Sequence, residues 1–507
     1  MDPAPRAELA ANTYEFEMIP LVKPTGFREY DARWWFGVAG SNKPPELNLL
    51  GVEALGLGLG ALAHELGAAP KFVVGHDYRA YSLSIKNALM LGLMRAGIEV
   101  HDIGLALSPT AYFAQFALDI PCVAMVTASH NENGWTGVKM GVERPLTFGP
   151  DEIGRLKEIV LSGSAAPRPG GAYVRVPDMR ERYIADIAGA LKLTRPLKVI
   201  AACGNGTAGA FAPEALRRMG AEVIELDCDL DWRFPNYNAN PEDSAMLHAM
   251  AEAVKRHGAD LALGFDGDGD RCGVVDGDGH EIFADKIGLM LARDLSAQHA
   301  NARFVVDVKS TGLFAVDPVL AANGARVDYW KTGHSYIKRR TTELGALAGF
   351  ETSGHFFFRP PLGYGYDDGI VAARAVLAML DRNLGKSLAD LRDALPVSFT
   401  SITMSPHCAD ETKYDIVARI VADYEALARG GGAILGRAIR DVNTVNGARV
   451  TLSDGSWVLV RASSNKPELV VVVESMTSQA DMIALFRDEV KPRLARHREI
   501  GAYNQEI

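Results

Sequence analysis

The sequence predicts an α/β protein: three similar mixed α/β domains followed by a smaller α+β domain at the C-terminal end. The chain has 507 residues, and at roughly 150 residues per domain this length suggests three or four domains. Short apolar runs alternate with longer segments of helical periodicity over most of the chain, which predicts parallel sheets with right-handed crossovers. After Pro396 this alternation gives way to a pattern of strands, a hairpin and two helices.

The first predicted domain, residues 15–172, has three short buried strands at 71–77, 98–104 and 122–129. A segment of helical periodicity separates the first two strands and ends at Gly97, a residue type that favours a helix C-cap. Pro and Gly cluster near the end of the domain, as they do in linkers between domains.

The same order recurs in a second domain, residues 173–279, and in a third, residues 280–393. The strands predicted in these two domains lie at 197–206, 221–227, 261–270, 304–309, 325–330 and 346–354. The fourth domain, residues 394–507, contains Asp454 and Gly455 between two apolar runs, which is a strong β-hairpin pattern.

Composition and charge exclude several classes of protein. Hydrophobic residues make up 48% of the chain and charged residues 23%, so disorder and fibrous repeats are excluded. The net charge of −10 argues against nucleic acid or an anionic membrane as a partner. Five cysteines without a CxxC pair argue against a disulfide framework, and no signal-peptide pattern or membrane-length apolar run is present. We therefore expect a cytoplasmic enzyme.

Four motifs carry candidate chemistry, and the first is TASHN at 127–131, the end of a predicted strand. Ligand sites in open α/β sheets lie at this edge. The hydroxyl of Ser129, with an imidazole beside it, is a candidate nucleophile or phosphate carrier, and Lys139 could neutralise a phosphate. The alternative is a polar loop whose side chains satisfy backbone groups.

The second motif is DGDGDR at 266–271. Three carboxylates separated by glycines can surround one ion, and oxygen-only ligands select a hard cation such as Mg²⁺. An EF-hand is excluded because its sixth position requires Gly and its twelfth requires Glu, and neither is present. The alternative is a solvated Asp-Gly turn, which is our interpretation of DGDG at 276–279.

The third motif, ETSGH at 351–355, places Glu351, Ser353 and His355 at alternate positions. In an extended segment these side chains share one face, where they could hydrogen-bond sugar hydroxyls. The alternative is the exposed face of an edge strand.

The fourth motif, RASSNKP at 461–467, offers the planar guanidinium of Arg461 together with hydroxyls, Asn465 and loop amides. Such donors suit a phosphate dianion, although an ordinary hairpin end is the alternative. Two further segments supplement the motifs: KTGHS at 331–335, which begins a strongly basic stretch, and GFREYDAR at 26–33 with two arginines beside an aspartate.

One further segment, GNGTAG at 204–209, matches a dinucleotide-binding fingerprint because it follows a predicted strand and Glu225 ends the next strand. Alone, this match would favour an NAD-dependent oxidoreductase.

Together and in this order, the motifs resemble those of the α-D-phosphohexomutase family from Gly26 to about Glu474, most closely its bacterial phosphomannomutase/phosphoglucomutase branch. The resemblance implies four domains around a central cleft, each contributing one signature loop, with GNGTAG as a turn of the second domain. It implies an enzyme that interconverts hexose 1-phosphate and hexose 6-phosphate, with mannose or glucose as the sugar, through a phosphoserine and a hexose 1,6-bisphosphate.

The resemblance also implies a role for each motif residue. One Mg²⁺ per chain is bound by Ser129, through its phosphate, and by Asp266, Asp268 and Asp270. The implied catalytic residues are Ser129, His130, Lys139, Arg271, Lys331 and His334. The implied substrate-binding residues are Arg28, Tyr30, Glu351, Ser353, His355, Arg461, Ser463, Ser464 and Asn465.

Small sugar phosphates are the partners that the resemblance implies, with a hexose 1,6-bisphosphate as activator. In the fourth motif Ser464, Asn465 and Lys466 depart from the usual family pattern, and we expect these changes to affect substrate preference more than chemistry. Phosphoglucosamine mutase is the alternative within the family, because its third motif also ends in Ser-Gly-His.

Overall fold

The computed structural model describes residues 3–464 and 466–507. The chain forms two compact units, the first made of the described residues up to Ala284 together with 353–389, and the second of 285–352 and 390–507. Mixed α/β sheets flanked by helices occur in both units, which confirms the predicted fold class. None of the helices in the described part of the chain combines the length and apolarity needed to cross a bilayer.

The first unit contains twelve strands and nine α-helices among its described residues. The strands are β1 (Ala32–Trp35), β2 (Lys71–His76), β3 (Glu99–Leu105), β4 (Cys122–Val126), β5 (Trp135–Gly141), β6 (Ala172–Arg175), β7 (Lys198–Ala202), β8 (Glu222–Leu226), β9 (Leu261–Phe265), β10 (Cys272–Asp276), β11 (Glu281–Ile282) and β15 (Phe356–Phe358). The helices are α1 (Tyr14–Met18), α2 (Leu49–Glu65), α3 (Ser82–Arg95), α4 (Ser108–Ala117), α5 (Pro150–Ser162), α6 (Met179–Gly189), α7 (Ala212–Met219), α8 (Ser244–His257) and α12 (Gly369–Arg382).

The first sheet has the order β1-β5-β4-β2-β3-β6. Its centre is parallel, because β2 pairs in parallel with β3 and with β4, as the strand–helix alternation predicts. Strands β5 and β1 extend the sheet in antiparallel pairing, which the sequence patterns did not predict. The parallel strands β2 and β4 end at one edge, so the loops that follow them lie side by side.

The second sheet, β11-β10-β9-β7-β8, repeats this arrangement. Strand β7 pairs in parallel with β8 and β9, whereas β10 and β11 are antiparallel additions. The apolar strand β9 is fully buried, and the acidic turn of the second motif follows it directly. This order of elements fixes the acidic turn at the carboxyl edge of the sheet.

The first strand of the second unit is β12 (Arg303–Asp307), which pairs in parallel with β13 (Arg326–Trp330) and β14 (Ala348–Phe350). A second sheet in this unit has the order β16-β21-β20-β19-β18-β17. Its strands are β16 (Phe399–Thr400), β17 (Ala433–Ile434), β18 (Arg437–Asn443), β19 (Ala448–Leu452), β20 (Trp457–Ala462) and β21 (Leu469–Ser475). Strands β19 and β20 form the antiparallel hairpin predicted at Asp454 and Gly455.

The second unit has seven α-helices among its described residues. They are α9 (Ala284–Gln298), α10 (Pro318–Ala322), α11 (His334–Glu343), α13 (Leu388–Asp393), α14 (Lys413–Arg429), α15 (Gln479–Ala484) and α16 (Lys491–Leu494). Helices α11, α14 and α15 pack on these two sheets. Helix α14 buries its apolar face on β19 and β20, where Ile416, Ile420 and Tyr424 join the core. The boundaries predicted for the four sequence domains stay predictions.

Candidate active site

The loop after β4 holds Ser129 in an uncommon backbone conformation. Its φ is +54°, in the left-handed region, and the residue is 2% exposed. Its N–H donates to Thr127 Oγ1 at 2.8 Å, and its carbonyl accepts from Arg79 at 2.8 Å. Backbone strain of this kind persists where surrounding contacts impose it, and it clusters at functional sites. The Ser129 hydroxyl is therefore held in a defined place.

The turn after β9 brings three carboxylates against this loop. Asp266, Asp268 and Asp270 are fully buried, and one oxygen of each lies within 4.8 Å of the others. A Cβ on Gly267 would lie 2.6 Å from the Ser129 carbonyl oxygen, so glycine permits the close approach of the two loops. Ser129 Oγ donates to Asp266 Oδ2 at 3.2 Å. The first and second motifs thus meet in one place.

Lys139, on β5, is a buried cation among these carboxylates. Its Nζ donates to Asp268 Oδ2 at 2.7 Å and also to Asp270. Burial alone would lower the pKa of Lys139, but Asp268 and Asp270 outweigh it and hold that pKa well above its usual value. Burial likewise opposes ionisation of Asp270, yet Lys139 holds the pKa of Asp270 well below its ordinary range. The lysine is therefore charged, and it lies where a phosphate would need neutralising.

The three carboxylates fit a hard divalent cation. Burial and its two acidic neighbours raise the pKa of Asp266 well above the usual value, so Lys139 does not balance the negative charge of the turn. Asp268 Oδ1 has no hydrogen-bond partner in the described part of the chain. All the donors are oxygen atoms, which Mg²⁺ prefers. A divalent ion would supply both the missing charge and the missing partner.

His130 lies beside the Ser129 hydroxyl, with its Nδ1 3.2 Å from Oγ. Desolvation, followed by the positive charges of Arg271 and Arg33, holds the pKa of His130 well below its usual value. The imidazole is therefore neutral at neutral pH and can exchange a proton with a neighbouring hydroxyl.

Arg271 closes the other side of the acidic turn. Its backbone N–H donates to Asp266 Oδ1 at 3.2 Å. Its guanidinium donates to Glu242 at 2.8 Å, and its Nε lies 4.0 Å from Asp266 Oδ2. Arg271 is 7% exposed, so its charge acts on a site largely withdrawn from solvent.

The third motif is a turn, and the expectation that its polar side chains share one face of an extended segment is wrong. Strand β14 ends at Phe350, and the chain reverses at Gly354, whose φ is +91°. Within the first unit, Ser353 Oγ lies 3.0 Å from Nδ1 of His355, and His355 Nε2 lies 3.4 Å from Asp270 Oδ1. His355 therefore borders the acidic turn.

A buried ion pair whose role the sequence did not predict organises the Ser129 loop. Asp77, directly after β2, accepts from Thr127 Oγ1 at 2.8 Å and pairs with Arg79. Arg79 donates to the carbonyl oxygens of Ser129 and Asn131 at 2.8 Å each. One sequence feature indicates this role: the two charged residues come directly after a buried strand, at the sheet edge that also holds Ser129.

In the segment at 26–33, Arg33 contacts the Ser129 loop. Arg33 donates to the carbonyl oxygen of Ala128 at 3.1 Å and to Asn131 Oδ1 at 3.2 Å, and Asp31 holds it at 2.9 Å. Arg28 is partly exposed and Tyr30 is buried in the same segment. Their proposed contacts with a substrate stay predictions.

The GNGTAG segment packs against the acidic turn. A Cβ on Gly206 would lie 3.1 Å from the Cα of Gly267, and the Thr207 N–H donates to the Gly267 carbonyl at 3.2 Å. Thr207 Oγ1 also accepts from the N–H of Tyr78 at 2.9 Å. The glycines of this segment therefore allow two loops of the first unit to pack closely.

In the second unit, Glu351 meets the KTGHS segment. Its carboxylate accepts from the Gly333 N–H at 2.5 Å. Helix α11 begins at His334, which is 5% exposed, and Lys331 Nζ lies 5.4 Å from the ring centre of Tyr336. Sequence motifs that are 18 residues apart thus lie side by side.

The fourth motif forms the connection between β20 and β21, also in the second unit. Arg461 is 7% exposed, and its Nη1 donates to the carbonyl oxygen of Ala462 at 2.9 Å. The Ser463 N–H donates to the Glu468 carbonyl at 3.0 Å and closes the loop. Asn465, a predicted substrate contact, lies outside the described residues.

Comparisons with known proteins agree with this geometry. The chain matches the phosphoglucomutase/phosphomannomutase family over its α/β/α domains I, II and III and its C-terminal domain, at residues 25–166, 181–279, 283–399 and 409–491. It is 34% identical to a Pseudomonas putida phosphomannomutase/phosphoglucomutase over 459 residues, which are 90% of this chain and 93% of that protein. For the enzyme of the same name from Pseudomonas aeruginosa PAO1, identity is 32% over 93% of this chain and 96% of that protein.

Solved structures give the same result. A phosphoglucomutase/phosphomannomutase family protein from Burkholderia thailandensis superposes with a TM-score of 0.82 and 29% identity, over 94% of this chain and 98% of the other. An Aspergillus fumigatus N-acetylphosphoglucosamine mutase, solved with GlcNAc-6P and magnesium, shares the fold at a TM-score of 0.51 and 13% identity, over 86% of this chain and 79% of the other. Four matched domains in order, relatives above 30% identity over nearly the whole length and the buried serine–carboxylate centre lead to one conclusion: the chain belongs to the phosphoglucomutase/phosphomannomutase family of intramolecular phosphotransferases.

Proposed function

We propose that this chain interconverts the 1-phosphate and the 6-phosphate of a hexose, glucose or mannose, with Ser129 as the phosphate carrier. The observation that carries the proposal is the contact of the Ser129 hydroxyl with Asp266, in a turn whose other carboxylates bind Lys139. A phosphoryl group on Ser129 would lie beside a charged lysine and a group of oxygen donors. Phosphoryl transfer depends chiefly on such positioning and on charge stabilisation.

The reaction has two transfers that balance. In the first, the phosphoryl group leaves Ser129 Oγ for the free hydroxyl of a hexose monophosphate, and the product is a hexose 1,6-bisphosphate. The attacking hydroxyl loses its proton in this step, and Ser129 Oγ takes one up. In the second, the Ser129 hydroxyl loses its proton and attacks the other phosphate of the bisphosphate, the phosphoserine is restored, and the sugar oxygen that leaves takes up a proton.

Three residues are proposed to move these protons. His334 and Lys331 exchange a proton with the sugar hydroxyl, and His130 exchanges one at Ser129 Oγ. The neutral imidazole of His130, 3.2 Å from that oxygen, supports its role. The burial of His334 beside the carboxylate contact of Glu351 supports the role of that histidine.

Mg²⁺ is the proposed metal, bound by Asp266, Asp268 and Asp270 and by the phosphate on Ser129. When bound, it offsets negative charge on the phosphoserine. The oxygen-only donor set and the Asp268 oxygen without a hydrogen bond support this assignment. Lys139 and Arg271 add positive charge from the protein, and both are buried, so water screens them little.

Substrate recognition is assigned to three segments. The non-reacting phosphate is bound by Arg461, Ser463, Ser464 and Asn465, and sugar hydroxyls are bound by Glu351, Ser353 and His355. Arg28 and Tyr30 provide further contacts. The buried guanidinium of Arg461 supports the phosphate assignment, because a fork of donors binds a phosphate in a bidentate manner.

Glucose and mannose are preferred over glucosamine in this proposal. The relatives at 32–34% identity have the names phosphomannomutase/phosphoglucomutase or phosphoglucomutase. A protein named "Probable phosphoglucosamine mutase" is 29% identical over 83% of this chain. The partners are therefore small sugar phosphates, with a hexose 1,6-bisphosphate as activator. A cytoplasmic location fits the five buried cysteines, which are all free thiols.

Replacement of the carrier tests the proposal. Ser129→Ala should lower the rate of glucose 1-phosphate conversion, measured with glucose 1,6-bisphosphate as activator, by about a thousandfold or more. Mass spectrometry of a tryptic digest should find phosphate on Ser129 in the natural chain. Ser162→Ala, on an exposed turn at the end of α5, is the matched control and should keep full activity. Substantial turnover by the Ser129 variant would contradict the carrier assignment.

A comparison of sugars tests the substrate class. Glucose 1-phosphate, mannose 1-phosphate and glucosamine 1-phosphate should be assayed side by side at equal activator concentration. We expect the first two to be converted with higher kcat/KM than the third. A clear preference for glucosamine 1-phosphate would instead support phosphoglucosamine mutase.

A further inference from the structure

Lys413 is a buried lysine beneath the loop 463–468, of which residues 463, 464 and 466–468 are described, and none of the steps above uses it. Its side chain is 4% exposed. Its Nζ donates to the carbonyl oxygens of Ser463 at 2.5 Å and Lys466 at 3.0 Å, and to the carboxylate of Asp410 at 2.6 Å. All three ammonium protons are therefore engaged, two of them by the backbone carbonyls of two residues of the loop.

Stability alone does not account for a lysine at this position. Lys413 is the first residue of α14, where the positive end of the helix dipole disfavours a cation. Burial of an ammonium also costs solvation that hydrogen bonds only partly restore. The neighbouring backbone bond from Ser463 to Glu468 already closes the hairpin without it. The free-energy cost of burying this ammonium is accounted for if Lys413 has a second role, which is to fix the shape of the loop.

The carbonyl contacts determine where the loop directs a backbone donor. In a trans peptide the C=O and the following N–H point in opposite directions. Because the Ser463 carbonyl points at Lys413, the Ser464 N–H points away from it. This N–H has no acceptor within residues 3–464 and 466–507. Backbone amides held in this way are anion donors, and Arg461 lies three residues before Ser464.

We propose that Lys413 is a positioning residue of the phosphate subsite: it holds the loop in the shape in which the Ser464 amide and the Arg461 guanidinium bind the non-reacting phosphate together. Lys413 itself does not touch the phosphate. The inference rests on the proposed function, since that function assigns the phosphate to this loop.

Binding without turnover gives the sharpest test. In the full-length Ser129→Ala protein, the Kd for glucose 1-phosphate is measured by titration calorimetry with and without Lys413→Met. The loss of preorganisation should raise the Kd by about tenfold or more. Lys413→Arg, which keeps a charged donor, should restore part of the affinity. Lys491→Met, an exposed lysine of the same unit that pairs with Glu506, is the control and should leave the Kd unchanged.

Steady-state kinetics separate positioning from a general structural role. With Ser129 intact, Lys413→Met should raise KM by a similar factor and change kcat by about threefold or less, because the phosphate contact is made in the ground and transition states alike. A lysine needed only for folding would lower the melting temperature and leave KM unchanged. That result would overturn the inference.

Two further variants keep the test decisive. If Lys413→Met does not fold, Asp410→Asn tests the inference in its place. Asp410 is 61% exposed, so its replacement should leave the fold intact and remove only one hydrogen-bond partner of the Lys413 ammonium. The Kd for glucose 1-phosphate should rise by about threefold. Unchanged binding in both of these variants, with binding lost in Arg461→Ala, would overturn the role of Lys413 and leave the phosphate loop standing. Unchanged binding in all three would overturn the phosphate-loop assignment itself, and this inference with it.

Discussion

Two acidic turns in the first unit contain the same Asp-Gly repeat but have different surroundings. The turn at 266–270 joins β9 to β10, and its three carboxylates are fully buried. The turn at 276–279 joins β10 to β11, and Gly277 and Asp278 are exposed. The first turn contacts Ser129 and Lys139, which come from the neighbouring sheet. The two turns therefore have the same Asp-Gly composition, and they differ in the elements that pack around them.

The carboxylates of the two turns also use their oxygens differently. Asp276 Oδ1 accepts from the backbone N–H groups of Asp278 at 3.0 Å and His280 at 2.9 Å, so it stabilises its own turn. In both turns the candidate ligand atoms lie within 4.8 Å of one another, but only in the first turn are all of them carboxylate oxygens of buried residues, and there Lys139 balances part of the charge. An Asp-Gly repeat thus becomes a metal-binding candidate when neighbouring elements bury it and leave its charge incompletely balanced.

The largest effect should follow removal of one carboxylate charge from the buried turn. Asp268→Asn keeps the shape of the side chain, removes its negative charge and replaces one of its two oxygens with an amide group, so it weakens both metal binding and the contact with Lys139. We expect kcat to fall by about a hundredfold to a thousandfold, because charge stabilisation in a water-poor site dominates this chemistry. The coupled assay over a range of Mg²⁺ concentrations measures it, with thermal melting to show that the variant folds. Activity within twofold of the natural chain would contradict the proposed metal site.

Loss of the lysine should have the next largest effect, and it gives a pH test. In EDTA, Lys139→Met leaves the buried carboxylates without their cation, so the free energy of unfolding should fall by about 3 kcal/mol. The pKa of Lys139 is raised in the folded state, so its contribution is complete below the unfolded value of about 10.4 and is lost as pH rises through the folded value.

Urea unfolding of the natural chain and of Lys139→Met, at neutral and alkaline pH, tests whether the pKa of Lys139 is raised in the folded state. The difference in unfolding free energy between the natural chain and Lys139→Met should be constant up to about pH 10 and should narrow only above it. A difference that shrinks between neutral pH and about pH 9 would show that Lys139 has a lowered pKa and is not the cation described here.

Most of the fold could be predicted from the sequence, because apolar runs of strand length alternate with helical segments. The central parallel strands β2, β4, β7 and β9 lie where those runs predict them. Strands β5 and β10 escaped prediction, since each follows a loop rich in glycine and polar residues. Their pairing is antiparallel and depends on the neighbouring strand rather than on their own pattern.

The site was predictable where its chemistry lies within one short segment. Residue type and spacing alone indicate Ser129 and the acidic turn as candidate site residues. Each follows a strand at the carboxyl edge of its sheet, which is where ligand sites are expected. The contacts of Asp77 and Arg79 were not predicted, because their partners lie about 50 residues away along the chain. The extended reading of ETSGH failed at Gly354, whose positive φ reverses the chain, because a period of two is informative only in a strand.

Addition of Mg²⁺ should give a smaller effect than either substitution in the buried turn. After EDTA treatment, Mg²⁺ at a hundredfold excess over its Kd should stabilise the natural chain by about 2.7 kcal/mol, since binding to the folded state alone acts by mass action. Thermal melting with increasing Mg²⁺ measures the effect. Asp268→Asn should show little of this stabilisation. An equal response in that variant would place the ion elsewhere.

Asp278→Asn in the exposed turn should give the smallest effect, and it decides whether surroundings rather than composition distinguish the two turns. Asp278 is exposed, and the side chain that stabilises the turn is that of Asp276, not that of Asp278. The substitution should therefore change the free energy of unfolding by no more than about 0.5 kcal/mol, leave kcat unchanged and leave the Mg²⁺ stabilisation intact. A loss of Mg²⁺ response comparable to that of Asp268→Asn would mean that the exposed turn also takes part in metal binding. In that case burial would not be the property that decides which Asp-Gly repeat binds a metal ion.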